Sequence, residues 1–281
     1  MSDLKPFQKN VTSQWGEDGV IEEIFKRIGT RSKFCVEFGA WDGKHLSNTW
    51  NLWHNHGWSA LLIEANEKTC DELKKSVKDF PAVQAEHRFV RASGEDSLDN
   101  IILKYREAGS AIDLLSIDID SDDYYIFEGL EKFRPRVIII EHNPTIPPHI
   151  DLVQESGEYF GSSALALQKL ARKKGYKLAH IVGTNCFFVE EKDFPKLAIA
   201  EKKVEDLFPY EFLSYVVTSP NGSAFLSREL AYPLATFFPK HPRYASATKL
   251  VPIFVWQRNT LRSFARIIKQ KILSTFYASK K

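Results

Sequence analysis

Cysteine is scarce in this chain: Cys35, Cys70 and Cys186 are the only three in 281 residues. They are odd in number and scattered, with no CxxC pair or Cys/His cluster, so neither a zinc site nor a disulfide framework is implied. Cys35 falls inside a predicted strand and reads as a small core residue. Long hydrophobic runs are missing as well. No window approaches the ~20 apolar residues that cross a bilayer, and the opening MSDLKPFQKN has no apolar signal core. A reducing, cytoplasmic location is the resulting expectation. The chain has no repeat of fixed period, no low-complexity tract and no GxGxxG fingerprint.

Acidic residues run out towards the end. Leu230 to Lys281 holds ten Lys/Arg and no Asp/Glu, which leaves 28 basic against 36 acidic residues in 1–229. An acidic body with a basic tail is a poor nucleic-acid footprint, and the tail is expected to meet something anionic or apolar. Hydrophobic residues make up 43% of the chain and aromatics 13%, enough for a large core, so global disorder is excluded.

Apolar periodicity predicts helices over Glu17–Ile28, Ser47–His56, Lys68–Lys78, Ser97–Ala108, Tyr124–Phe133 and Ser163–Lys174. Between them lie predicted strands Phe34–Phe38, Ala60–Ile63, His87–Arg91, Ile112–Ile119 and Val137–Glu141. Runs of β-branched residues such as Val137–Ile140 suit strands buried on both faces of a parallel sheet. Tyr176–Val182 and Cys186–Val189 then form a closing antiparallel pair around Gly183–Thr184–Asn185. Alternating strands and helices predict a doubly wound, Rossmann-like α/β sheet with helices on both faces. Dinucleotide-binding proteins and S-adenosylmethionine methyltransferases both begin this way, and the terminal hairpin favours the second.

The chemistry-bearing residues sit at predicted strand ends. Phe34–Phe38 runs into Glu37-x-Gly39-x-x-x-Gly43, flanked by Ala40, Asp42 and Asn48. A pyrophosphate needs a helix N-terminus free of acids, whereas Glu37 and Asp42 suit a ligand carrying ammonium and sulfonium charge. The next strand ends at Glu64, followed by Ala65. Glu64 is 27 residues beyond Glu37 and placed to accept hydrogen bonds from ribose hydroxyls. Ser93, after the third strand, is a candidate for the base. Asp118 and Asp120 lie two apart after the fourth strand, so their side chains share one side. Asp122 and Asp123 read as acids starting the next helix. Glu141, His142 and Asn143 end the fifth strand. The Asp118–Asp120 carboxylate pair opposite Glu141, His142 and Asn143 suggests either a hard divalent ion such as Mg²⁺ or a base for a substrate hydroxyl. His142 is the natural base near neutral pH, and Asp118 and Asp120 share the catalytic role.

These segments resemble FkbM-like S-adenosylmethionine-dependent methyltransferases. The matching stretches are SQWGEDG (Ser13–Gly19), VEFGAWDGKHLSNT (Val36–Thr49), LLIEAN (Leu61–Asn66), DLLSIDIDSDDYYIFEGL (Asp113–Leu130), RVIIIEHN (Arg136–Asn143) and GYKLAHIVGTNCFFV (Gly175–Val189). The resemblance implies a seven-stranded Rossmann-like fold and O-methylation, often of sugars in surface polysaccharides or of natural products; a sugar hydroxyl of a surface glycan or glycolipid is the resulting expectation. It places Glu37, Gly39 and Asp42 around the methionine part of the cofactor, Glu64 at the ribose and Ser93 at the adenine. The family often has an acid–glycine pair where this chain reads Asp120–Ser121. A looser similarity links Asp118 and Asn143 to divalent-metal-dependent catechol-type O-methyltransferases, which implies a metal held by Asp118 and Asn143 with Glu141 or His142 in the third position. Competing functions are an NAD(P)-dependent sugar-modifying oxidoreductase and a non-catalytic binding module on the same fold.

Residues 1–190 are thus read as the cofactor-binding domain and 191–260, in which Phe208–Phe238 is rich in Phe, Tyr and Pro, as a cap or substrate-recognition extension. In 261–281, Leu261, Phe264, Ala265, Ile268, Ile272 and Phe276 share a helical face, with Arg258, Arg262, Arg266 and Lys269 beside it. Such a basic amphipathic helix fits an anionic membrane surface, or packing on its own domain or on a partner in a homo-oligomer.

Overall fold

The computed structural model describes residues 3–218 and 224–227, so the C-terminal helix expected at 261–281 lies outside the described residues. The chain divides into two compact units, Met1–Glu211 and Phe212–Lys281. The first unit is built on a seven-stranded sheet of β1 (Phe34–Phe38), β2 (Ser59–Glu64), β3 (Val83–His87), β4 (Leu114–Ile117), β5 (Val137–Glu141), β6 (Tyr176–Val182) and β7 (Asn185–Glu190). Their order is β3-β2-β1-β4-β5-β7-β6. The first five strands are parallel, while β7 inserts antiparallel between β5 and β6. This is the Rossmann-like architecture that the alternation of elements predicts. In the second unit, β8 (Val216–Thr218) pairs antiparallel with β9 (Ala224–Leu226).

The central strands form where β-branched and aliphatic runs can be covered on both faces. Every residue of β1 and β4 is buried, and so are Leu61, Leu62 and Ile63 of β2 and Ile138, Ile139 and Ile140 of β5. Helix α1 (Glu17–Ile28) packs Val20, Ile21, Ile24 and Ile28 into this core and stops at Gly29, whose φ of 69° suits glycine. Helix α2 (Glu67–Val77) is capped by Asn66, which accepts from the Lys68 and Thr69 amides, and α5 (Ala164–Lys173) by Ser163, which accepts from Ala166. Phe194 and Leu197 also enter the core of the first unit, ahead of the short α6 (Val204–Leu207).

Several sequence expectations need correction. The third strand is Val83–His87 rather than His87–Arg91, because β2 fixes its register from Ala60↔Val83 to Glu64↔His87. As an edge strand it buries only Val83, so its apolar signal is weak. The helix expected over Ser47–His56 is reduced to a π-helical turn, Asn51–Asn55, because Ser47, Asn48 and Thr49 turn inward to Glu37. The helix expected from Ser97 to Ala108 is only α3 (Leu98–Ile102). Leu103 is already 36% exposed and gives no anchor for another turn. Helix α4 (Asp123–Gly129) ends early because Asp99 accepts the amides of Glu131 and Lys132.

A buried ion cluster locks the amino end of the sheet. Arg136 donates to Asp113 at 2.9 Å, to Asp193 at 2.7 Å and to the carbonyls of Ile28 and Gly29. Asp113 also accepts the amides of Arg31, Ser32 and Lys33. With that end sealed, the carboxyl ends of the parallel strands are where an open α/β sheet receives ligands.

Candidate active site

The turn after β1 is shaped by glycine and by Glu37. Gly39 has φ +75°, and a Cβ there would collide with the Asp118 carbonyl, so the tips of β1 and β4 touch backbone to backbone. Glu37 is 5% exposed and accepts hydrogen bonds from the Ser47 hydroxyl (2.6 Å), the Asn48 amide (2.8 Å) and the Thr49 hydroxyl (2.6 Å). Burial raises its carboxyl above the usual range, and these donors only partly offset that. The structure therefore places Glu37 inside the loop, holding Ser47–Thr49 against β1. Asn48 is buried beside it and donates to Ser116 of β4. Ala40 is buried and its amide bonds the Ile63 carbonyl. Asp42 accepts the Lys44 and His45 amides as a local turn.

Glu64 behaves differently. It stands half-buried at the tip of β2, accepting the Trp41 amide at 2.9 Å and the Asn66 amide at 2.7 Å. A carboxylate offers about four acceptor positions, so two remain for a ligand. Ala65 is exposed beside it, with its carbonyl bonded to His87 Nε2. Ser93 is exposed but lies well beyond the end of β3, not at the strand tip where the misplaced strand had put it.

Beyond β4 and β5 the structure gathers three acids. Asp118, Asp120 and Glu141 each bring an oxygen to within 4.8 Å of the others. Asp120 has φ 58°, a left-handed conformation that turns the chain here. Burial, then the charges of Asp123, Asp120 and Glu37, push the Asp118 carboxyl up. Burial and the charges of Asp118 and Asp120 push Glu141 up as well. Such a cluster holds a proton or a cation tightly. Asp123 is buried at the start of α4 and accepts the Ile119 and Ser121 amides, and burial pushes it up to about 6. Asp122 takes the N-cap position of α4, as the sequence predicts, but its side chain caps no amide there. It ties down a loop by accepting from Ser156 and Gly157.

His142 does not join this group. It follows Glu141 on β5 and so points to the opposite face, where it is 1% exposed and its ring lies 5.9 Å from Phe208. Burial lowers it to about 4, so it is a neutral, enclosed imidazole and not an accessible base in this structure. Asn143 is committed locally: its oxygen accepts from the Thr145 amide and hydroxyl, and its amide donates to the Phe160 carbonyl. Asp120 takes the third place in the acid cluster that Asn143 was expected to fill.

Sequence reasoning assigned no roles within SQWGEDG. Asp18 collects the amides of Val11, Thr12 and Ser13 and the Ser13 hydroxyl on one oxygen. Thr12 donates to the Ser47 carbonyl, joining this segment to the β1 loop. Glu17, fully buried, accepts from Asn185 at 3.0 Å. Asn185 in turn lies directly opposite Glu141 across β5 and β7. A serine five residues before a buried acid was the available signal.

No family model matches the chain, and no curated protein does. Among solved structures it is similar to a SAM-dependent methyltransferase from Aquifex aeolicus, with 14% identity and a TM-score of 0.39, covering 66% of this chain and 94% of that one. It is also similar to the N-terminal domain of EvdMO1 with SAH bound, at 13% identity and TM-score 0.41, covering 62% and 78%. For the CMeT domain of the citrinin polyketide synthase the values are 11% and 0.42, and only 51% of that chain is spanned, against 63% of this one. Likeness this distant says nothing of substrate or mechanism, which rest on the residues of the site. Among the described residues, no helix is long and apolar enough to cross a membrane.

Proposed function

We propose that the chain is an S-adenosylmethionine-dependent O-methyltransferase acting on a sugar hydroxyl of a glycan or glycolipid. The observation that carries this reading is Glu64, clasped to the glycine turn through Trp41 and carrying spare acceptors, with three crowded acids on the neighbouring strand tips. Ribose hydroxyls would bond Glu64, and the turn at Gly39 lets backbone approach the ligand. The oxidoreductase alternative fits less well. The loop from Gly39 to Trp50 presents no helix N-terminus for a pyrophosphate, since the next helical element is the five-residue turn Asn51–Asn55.

In the transfer, a hydroxyl oxygen attacks the methyl carbon in line with the departing sulfur. The C–S electron pair stays on sulfur and the hydroxyl proton leaves to a base. The acid cluster serves as that base and orients the hydroxyl. Three oxygen donors this close also fit a hard divalent cation. Asp118, Asp120 and Glu141 would hold it, and when bound it would lower the pKa of the hydroxyl.

Calorimetry with S-adenosylhomocysteine and with NAD tests the cofactor. Binding of NAD alone would overturn the reading. Methyl transfer to candidate glycans with and without EDTA then tests the metal, because full activity in chelator removes the cation from the scheme.

A further inference from the structure

Two segments that carry exposed aromatics are tied to residues next to the strand tips that carry the acids. Trp15 is 42% exposed and stands against the β6–β7 turn, where a Cβ on Gly183 would collide with its side chain. Its position is fixed from three directions. Glu17 accepts the Trp15 amide and the Asn185 side chain, Thr12 holds the Ser47 carbonyl, and the Thr184 carbonyl bonds the His142 amide just past Glu141. The segment 12–17 therefore reaches from the β1 loop to the β6–β7 turn, passing the tips of β4 and β5 that lie between them in the sheet.

In the second segment, Tyr159 and Phe160 are 81% and 37% exposed, on a loop that is firmly held. Gln154, 1% exposed, accepts the Phe160 and Gly161 amides and donates to the Glu158 carbonyl. Asp122, two residues after Asp120, accepts from Ser156 and Gly157. Asn143, two residues after Glu141, donates to the Phe160 carbonyl. Tyr159 is thus an exposed aromatic on a loop whose backbone is already ordered, so a ligand ring can stack on it without the cost of ordering the loop.

We infer that Trp15 and the Tyr159–Phe160 loop form the acceptor site, gripping the apolar face of a pyranose ring while the carboxyls of Asp118, Asp120 and Glu141 accept its hydroxyl hydrogens. Acids alone would fit any polyol, and aromatics alone any flat ring. The combination selects a polyhydroxylated ring with a C–H face. This inference rests on the sugar O-methyltransferase reading and names the residues that hold the substrate in it.

Saturation-transfer NMR on the full chain, with methyl β-galactopyranoside, methyl α-rhamnopyranoside and catechol as probes, tests it. Wild type, Trp15→Ala and Tyr159→Ala are compared, with S-adenosylhomocysteine affinity measured in parallel. Tyr159 is so exposed that its variant leaves the fold intact, whatever happens to Trp15→Ala. The expected result is pyranoside binding weakened about tenfold in each variant, the scale of one lost aromatic contact, with S-adenosylhomocysteine affinity within about twofold of wild type. Pyranoside binding equal in all three proteins, absent from wild type, or weaker than catechol binding overturns the acceptor site. Pyranoside binding lost in the variants of a protein that does not bind S-adenosylhomocysteine supports the acceptor site while removing the methyltransferase reading.

Discussion

Glu37 offers the sharpest separation between a residue that holds the site and one that touches ligand. Replacing it with Ala leaves the Ser47 hydroxyl, the Asn48 amide and the Thr49 hydroxyl without their acceptor. An orphaned buried donor costs about 1–3 kcal/mol. The two hydroxyls can rotate towards other partners, and the Asn48 amide cannot, so the total is about 3 kcal/mol. For a unit of this size that lowers Tm by about 6–12 °C. Glu37→Gln keeps a carbonyl acceptor and removes a charge that burial already disfavours, so its expected cost is about 1 kcal/mol. The sign with pH comes from the raised carboxyl. The folded state binds the proton more tightly than the unfolded chain, so wild type gains stability relative to Glu37→Gln as pH falls through that raised value. Calorimetric melts of the three proteins over a pH series measure both effects. An alanine variant melting within about 2 °C of wild type would refute the reasoning, since the three hydrogen bonds would then hold nothing.

Gly39→Ala forces a side chain into φ +75° against the Asp118 carbonyl. Its expected cost is about 1–2 kcal/mol from the conformation alone, with S-adenosylhomocysteine affinity reduced by calorimetry; unchanged affinity would detach this turn from the cofactor. Arg136→Met leaves buried Asp113 with amide and hydroxyl donors but no counter-charge, and Asp193 with only Lys196 and Arg31, and is expected to cost about 3–5 kcal/mol in denaturant titration. Burial raises Asp193, but Arg136 and Lys196 override it and hold the group at about 2. Its contribution is therefore present above the unfolded value of about 4 and lost as pH falls towards 2. Wild-type stability should decline over that window more steeply than that of Arg136→Met, and parallel curves would contradict the assignment.

Much of the fold was legible because the signals were strong and local. The apolar run Val137–Ile140 fixed β5, the spacing of Val20, Ile21, Ile24 and Ile28 with Gly29 fixed α1, and Ser163 marked the start of α5. The edge strand β3 was harder. Its side chains alternate Val83, Gln84, Ala85, Glu86, while the later stretch around Phe89 and Val90 is richer in strand formers; pairing with β2, a non-local fact, decided between them. At the site, the sequence showed that acids collect at strand ends and could not show where their hydrogen bonds go. Glu37 faces donors ten to twelve residues away, His142 turns to the back of β5, and Asn143 serves its own loop. Asn185 and Glu17 meet across 168 residues, beyond any local pattern.

That long reach has a consequence for assembly. The roof over the strand tips comes from the first twenty residues, yet its anchor at Gly183–Asn185 belongs to the last pair of strands in the sheet. A chain emerging from the ribosome cannot close this edge until nearly the whole sheet has been synthesised. Contacts so distant in sequence raise the contact order and slow folding, and this one ties the placement of the first twenty residues to the completion of the last two strands.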